Sequence, residues 1–204
     1  TIDPGTFTLL INTTAAPSTT PDIPARSVRV KATGLHLHIG PVELIGDFEF
    51  EQITGQLAPQ APPGTLPPKI VRFAASGVTL DLGGIVTVSD GHGIFVVTPA
   101  GIAGRLQATV TAPFLAGTFG VAINTTMKPV AQQFGSQTLS LPAGPYLRLE
   151  GTGIRIDVAG QRATADVVLE KATVGLESVV RVLVANASAS FGDGTTNFVT
   201  LTGG

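Results

Sequence analysis

The chain has no cysteine and no tryptophan, its aromatic content is 5%, and Tyr146 is its single tyrosine. Without cysteine, disulfides and thiolate metal ligands are excluded. So few rings, with no tryptophan, also weaken the case for a lectin that stacks sugars on aromatic side chains. Charge is also sparse: 13% of the 204 residues are charged and the net charge is −2, too weak a field to gather nucleic acid or anionic lipid. Mean hydropathy is positive, yet no apolar run approaches the ~18 residues of a membrane-spanning helix. Leu, Lys and Glu nowhere recur at helical spacing. Enzyme signatures are missing too, with no Gly-x-Ser-x-Gly elbow, no phosphate loop with its lysine and no His-Glu-x-x-His. Three histidines and no cysteine allow no nucleophile and base to be assigned, so neither a catalytic residue nor a cofactor is expected.

What the chain does contain is turn and strand material, with 25 Gly and 15 Pro among many Thr, Val and Ala. One twelve-residue pattern is written four times, at Val28 to Ile39, Val71 to Leu82, Leu147 to Val158 and Val180 to Phe191. In each, apolar residues alternate, one extra residue intervenes near Gly34, Gly77, Gly153 or Asn186, and alternation resumes on the opposite parity. Period-two alternation marks a half-buried strand, and an inserted residue would flip every later side chain unless a bulge or a bend absorbs it. Glycine tolerates the torsions a bulge demands, and asparagine tolerates them better than most residues. The expected fold is therefore all-β, an antiparallel sandwich-like array of tandem repeats with long bulged strands.

The repeat is visible directly: GTFTLLINTT at 5–14 returns as GTFGVAINTT at 117–126. A complete repeat is expected over 28–126, with strands at 28–39, 42–53, 70–82, 85–89, 93–98, 103–111 and 117–125. Turns are expected at Gly40-Pro41, Gly83-Gly84, Asp90-Gly91 and Pro99-Ala100-Gly101. Residues 1–27 read as the closing strand of a preceding repeat plus a Pro-rich linker, 127–145 as a second linker, and 146–204 as the first half of a following repeat. The chain opens at Thr1 without a secretory leader, so a processed chain or an excised piece is expected.

The GTF…INTT segments, the GTGIRIDVAGQ hairpin and the FGDGTTNFVT turn resemble the tandem β-rich repeats of very large bacterial surface and adhesin-like proteins. The resemblance covers most of the chain and its motifs are structural. It implies an extracellular or cell-surface location and carries over no catalytic residue.

Several constellations invite a chemical reading. Arginine stands second in every bulged strand, at Arg29, Arg72, Arg148 and Arg181. A guanidinium ladder could meet carboxylates, sulfated sugars or a neighbouring subunit, but the hairpin geometry favours outward cross-strand pairs, Arg29 with Glu51 and Arg148 with Glu170, worth roughly 0.2–1 kcal/mol each. His36 and His38 share one strand face at a spacing that suits a metal, but the second repeat has Arg155 and Asp157 there, so solvent-facing polar residues are expected and no metal. The Asp-Gly turns at 89–93 and 192–194, with Asp81 and Asp90, offer too few carboxylates for calcium. Divalent ions are therefore expected to be dispensable for folding. Asn12, Asn124 and Asn186 each begin an Asn-x-Ser/Thr triplet, a short pattern for N-glycosylation that often arises by chance.

These observations lead to an expectation of a structural segment of an extracellular filament or stalk, without nucleic-acid or membrane-spanning partners. It would assemble with copies of itself head to tail, by strand complementation or within a longer chain. The alternative is an adhesin-type binding module in which the loop 55–69 or the Arg rows contact a glycan or a protein on a host or neighbouring cell. Apolar or basic patches confined to one repeat would favour that alternative.

Overall fold

The computed structural model describes every residue except 1, 4, 56–61, 63, 135–136, 175–176, 194 and 204. The chain is all-β and antiparallel, with no helix among the described residues and hence none long and apolar enough to cross a membrane. In chain order the strands are β1 (Ile2–Asp3), β2 (Thr6–Asn12), β3 (Ser18–Thr19), β4 (Asp22–Ile23), β5 (Ser27–Ile39), β6 (Val42–Thr54), β7 (Lys69–Leu82), β8 (Val86–Thr98), β9 (Gly101–Thr111) and β10 (Leu115–Asn124). They continue with β11 (Val130–Phe134), β12 (Gln137–Leu141), β13 (Tyr146–Val158), β14 (Gln161–Val174), β15 (Glu177–Gly192) and β16 (Asn197–Thr202).

Twelve strands form one sheet in the order β1-β5-β6-β7-β8-β9-β10-β13-β14-β15-β16, with β2 also paired to β5. β1 and β2 occupy successive stretches of the same edge, facing His36–Leu37 and Ser27–Thr33 respectively. The described residues thus build one broad antiparallel sheet, with two two-stranded hairpins outside it. No boundary interrupts it, because β10 pairs with β13 along nearly its whole length.

The bulges explain how one face stays apolar. Gly34, Gly77 and Gly153 have φ of 64°, 59° and 59°, and Asn186 has φ 53°. Register shifts accompany each of them, between Ala32 and Leu35, Ala75 and Val78, and Gly151 and Ile154, and opposite Asn186 between Thr164 and Asp166. The extra residue is absorbed at that point, so Val28, Val30 and Ala32 stay on the same side as Leu35 and Leu37. Asp90 also takes a positive φ, 54°, with register shifts on both sides. It corrects one expectation: Asp90-Gly91 is not a turn between strands 85–89 and 93–98 but a bulge within the single strand β8. Short Asp-Gly dipeptides suit either role, and the length of the neighbouring strands decides between them.

The segments expected to be linkers are also ordered differently. Residues 18–23 and 130–141 form two-stranded hairpins, β3–β4 and β11–β12, each inserted between two strands that pair with one another. The β11–β12 hairpin lies on one face of the sheet, where Phe134, Leu139 and Leu141 pack with Ala74, Ile94, Val96, Ala103 and Ala122 in the main buried cluster. That face otherwise carries polar residues. The opposite face is apolar across both repeats and partly open, with Phe7, Leu9, Phe50, Phe73, Leu149 and Val182 among its exposed side chains.

Candidate functional site

Polar side chains gather at several defined places on the polar face, some written in both repeats and one confined to the first. The first is an ion triad. Register puts Arg29, Glu51 and Arg72 side by side on β5, β6 and β7. Glu51 is fully buried; its Oε1 accepts from Arg29 Nε and Nη2 at 2.9 and 2.7 Å, and its Oε2 accepts from Arg72 Nη2. The expected Arg29–Glu51 pair therefore exists, but it does not face outward. The β11–β12 hairpin covers it, with Phe134 stacked 5.7 Å from the Arg29 guanidinium and 5.1 Å from that of Arg72. Arg29 Nη1 also donates to the carbonyl of Asp22 at 3.0 Å. Both hairpins are thus latched to one buried carboxylate.

The second repeat reproduces the triad as Arg148, Glu170 and Arg181. Arg148 Nη1 lies 3.1 Å from Glu170 Oε2 and Arg181 Nη1 lies 3.5 Å from Glu170 Oε1. Tyr146 donates to Glu170 at 3.3 Å, and burial, followed by the neighbouring Glu170 carboxylate, raises its phenol above the usual range. Arg181 is 68% exposed here, against 13% for Arg72.

The second group is an asparagine clamp at the junction between repeats. Asn124 is wholly buried; its Nδ2 donates to the carbonyls of Lys128 and Pro142 at 2.9 and 2.6 Å, while its Oδ1 accepts from the backbone N–H and the hydroxyl of Thr126, both at 2.8 Å. Asn12 repeats the arrangement with Ala16, Ile23 and Thr14. Each amide ties the end of a strand to both ends of the hairpin that follows. Gly144 belongs to the same knot: it donates to the Thr126 carbonyl at 2.7 Å, and a Cβ there would collide with the carbonyl oxygens of Asn124 and Thr126. The glycosylation triplets at Asn12 and Asn124 are therefore structural, since their amide nitrogens are buried and engaged. Asn186 is exposed and donates to Asp166 Oδ2 at 2.6 Å.

The bulges carry a shared pin of the same kind. Gly34 donates to Asp47 at 2.7 Å, and Gly153 donates to Asp166 at 2.6 Å. Sequence alternation alone could not mark Asp47 and Asp166, although both are found at the same offset from their bulge glycine.

The third group is where the structure adds a residue. His36, His38 and Glu43 bring one ligand atom each to within 4.8 Å of one another, the one such metal-capable group among the described residues. Glu43 stands opposite His38 on β6, a relation that appears only once the hairpin is folded in register. The Asp-Gly sites show no comparable convergence. Asp81 accepts from Gly84 at 2.6 Å, and Asp193 accepts from the N–H groups of Thr195 and Thr196, which hold its carboxyl below the usual range. Residues 56–61 and 63 of the loop 55–69 lie outside the described residues.

The chain matches no family model, no curated protein and no solved structure.

Proposed function

We propose that the chain is a structural segment of an extracellular β assembly, a module that lengthens an open antiparallel sheet by one repeat at a time. The repeated junction carries this reading. β2 meets β5 and β10 meets β13 by the same antiparallel pairing, each with a folded-back hairpin and a buried asparagine. A junction that can be written twice without a break is one that can be written again, within a longer chain or between molecules head to tail.

The apolar face supports the same reading. Eleven strand positions about 4.8 Å apart and strands of roughly thirteen residues outline a face on the order of 2,000 Å². A stable interface needs only about 800 Å² per partner, and patches this large are rarely left in water. A second sheet of the same kind, packed about 10 Å away, is the occupant we assign. Both repeats expose apolar side chains on this face, Phe50 and Phe73 in the first and Leu149, Val180 and Val182 in the second. That distribution favours a structural role over an adhesin-type module, whose recognition patch would belong to one repeat.

Light scattering and negative-stain imaging of the purified chain test this. Concentration-dependent dimers and elongated particles are expected, and Phe73→Lys with Leu149→Lys should disperse them while the far-ultraviolet β signal persists. A monodisperse monomer at all concentrations would refute the proposal, as would association that ignores both substitutions.

A further inference from the structure

The geometry points to a divalent-metal site on the polar face of the first repeat, in which His36, His38 and Glu43 ligate an ion of the zinc type. The three residues lie on the hydrogen-bonded hairpin β5–β6, with the two histidines two positions apart on one strand and Glu43 directly opposite His38. His38 Nε2 is 3.4 Å from Glu43 Oε1. Around a tetrahedral ion with bonds of about 2.1 Å, neighbouring donor atoms stand about 3.4 Å apart, so this edge of the site is already at the required length. One atom from each of the three groups falls within 4.8 Å of the others, a gap that side-chain rotation alone can close.

The second repeat supplies an independent control on the geometry. The residues at the corresponding places are Arg155, Asp157 and Arg162, and there Asp157 binds both arginines, Oδ2 at 2.9 Å from Arg155 Nε and Oδ1 at 2.6 Å from Arg162 Nε. The backbone therefore brings these three positions together whatever residues occupy them. Where the second repeat fills them with groups that neutralise one another, the first presents two imidazoles and a carboxylate. Imidazole nitrogen and carboxylate oxygen form an established ligand set for zinc. Three protein donors leave at least one position to water, and with His38 and Glu43 about half exposed the site is open to an ion from solution.

Zinc chloride titrated into the chelator-stripped chain by calorimetry is the test, with cobalt(II) absorption as a second readout of coordination. One ion per chain is expected. Substituting His36→Ala together with His38→Ala should weaken binding by at least roughly tenfold, the loss of about 1.4 kcal/mol or more. A second variant carries His36→Arg, His38→Asp and Glu43→Arg, the trio that already stands in the second repeat. It should melt like the parent chain and take up no zinc at this stoichiometry. The inference fails if the parent chain binds no zinc, or if the exchanged variant binds it equally well, since binding would then lie with His92 or scattered carboxylates.

Discussion

Phe134 lies over Arg72, its ring centroid 5.1 Å from the guanidinium carbon, and that contact closes a lid over a carboxylate from which water is excluded. Because Glu51 is fully buried, its neutralisation strips Arg72 of its counter-charge beneath an aromatic ring and leaves Arg29 only Glu49, 3.5 Å away. Breaking a buried ion pair by deleting one partner costs about 3–5 kcal/mol. Glu51→Gln should therefore lower stability by an amount in that range in denaturant unfolding, whereas Glu170→Gln, at a more open triad, should cost about 1 kcal/mol or less. Equal losses at the two sites would show that the hairpin does not seal the first.

Asn124 should be as sensitive for a different reason. Its amide satisfies two carbonyls, one N–H and one hydroxyl, and each buried polar group left unpaired costs about 1–3 kcal/mol. Asn124→Ala should therefore destabilise the chain by roughly 3 kcal/mol or more and free the β11–β12 hairpin, which amide hydrogen exchange at 130–141 would report. Stability and exchange unchanged from the parent would show that the clamp is incidental.

Asp166 connects two bulges, accepting from Gly153 and from Asn186. The Gly153 N–H first, and then the Asn186 amide, hold its carboxyl below the ordinary value. A carboxyl whose folded pKa is depressed contributes stability that is complete above its unfolded pKa, about 3.9, and is lost as pH falls through the lower folded value. Asp166→Asn should remove this contribution, so the difference in stability between variant and parent should shrink as pH is lowered below about 4. A difference that stays constant across that interval would exclude the linkage.

Much of this molecule was legible in one dimension. Strands, their approximate ends and the residues where alternation changes parity are local properties, because the side-chain period of a strand is two whatever lies beside it. The repeat was legible for the same reason, as its strands preserve spacing while its loops differ in length. Gly34, Gly77, Gly153 and Asn186 stand out as residues able to adopt a positive φ just where the pattern slips.

Other features depend on what meets what across the sheet, and alternation carries no record of that. Arg29 and Glu51 pair by strand register, but whether the pair faces water depends on a hairpin from residues 127–145, whose Pro-rich sequence resembles a linker. Asp90-Gly91 suits a turn or a bulge equally, and the neighbouring strands choose the bulge. The sequence by itself determined an all-β chain of repeated, bulged strands, because that information lies in adjacent residues. Only the tertiary structure decided that the repeats merge into one sheet, that Glu51 is buried and that Glu43 joins His36 and His38, because each depends on contacts between strands and hairpins that alternation along one strand cannot encode.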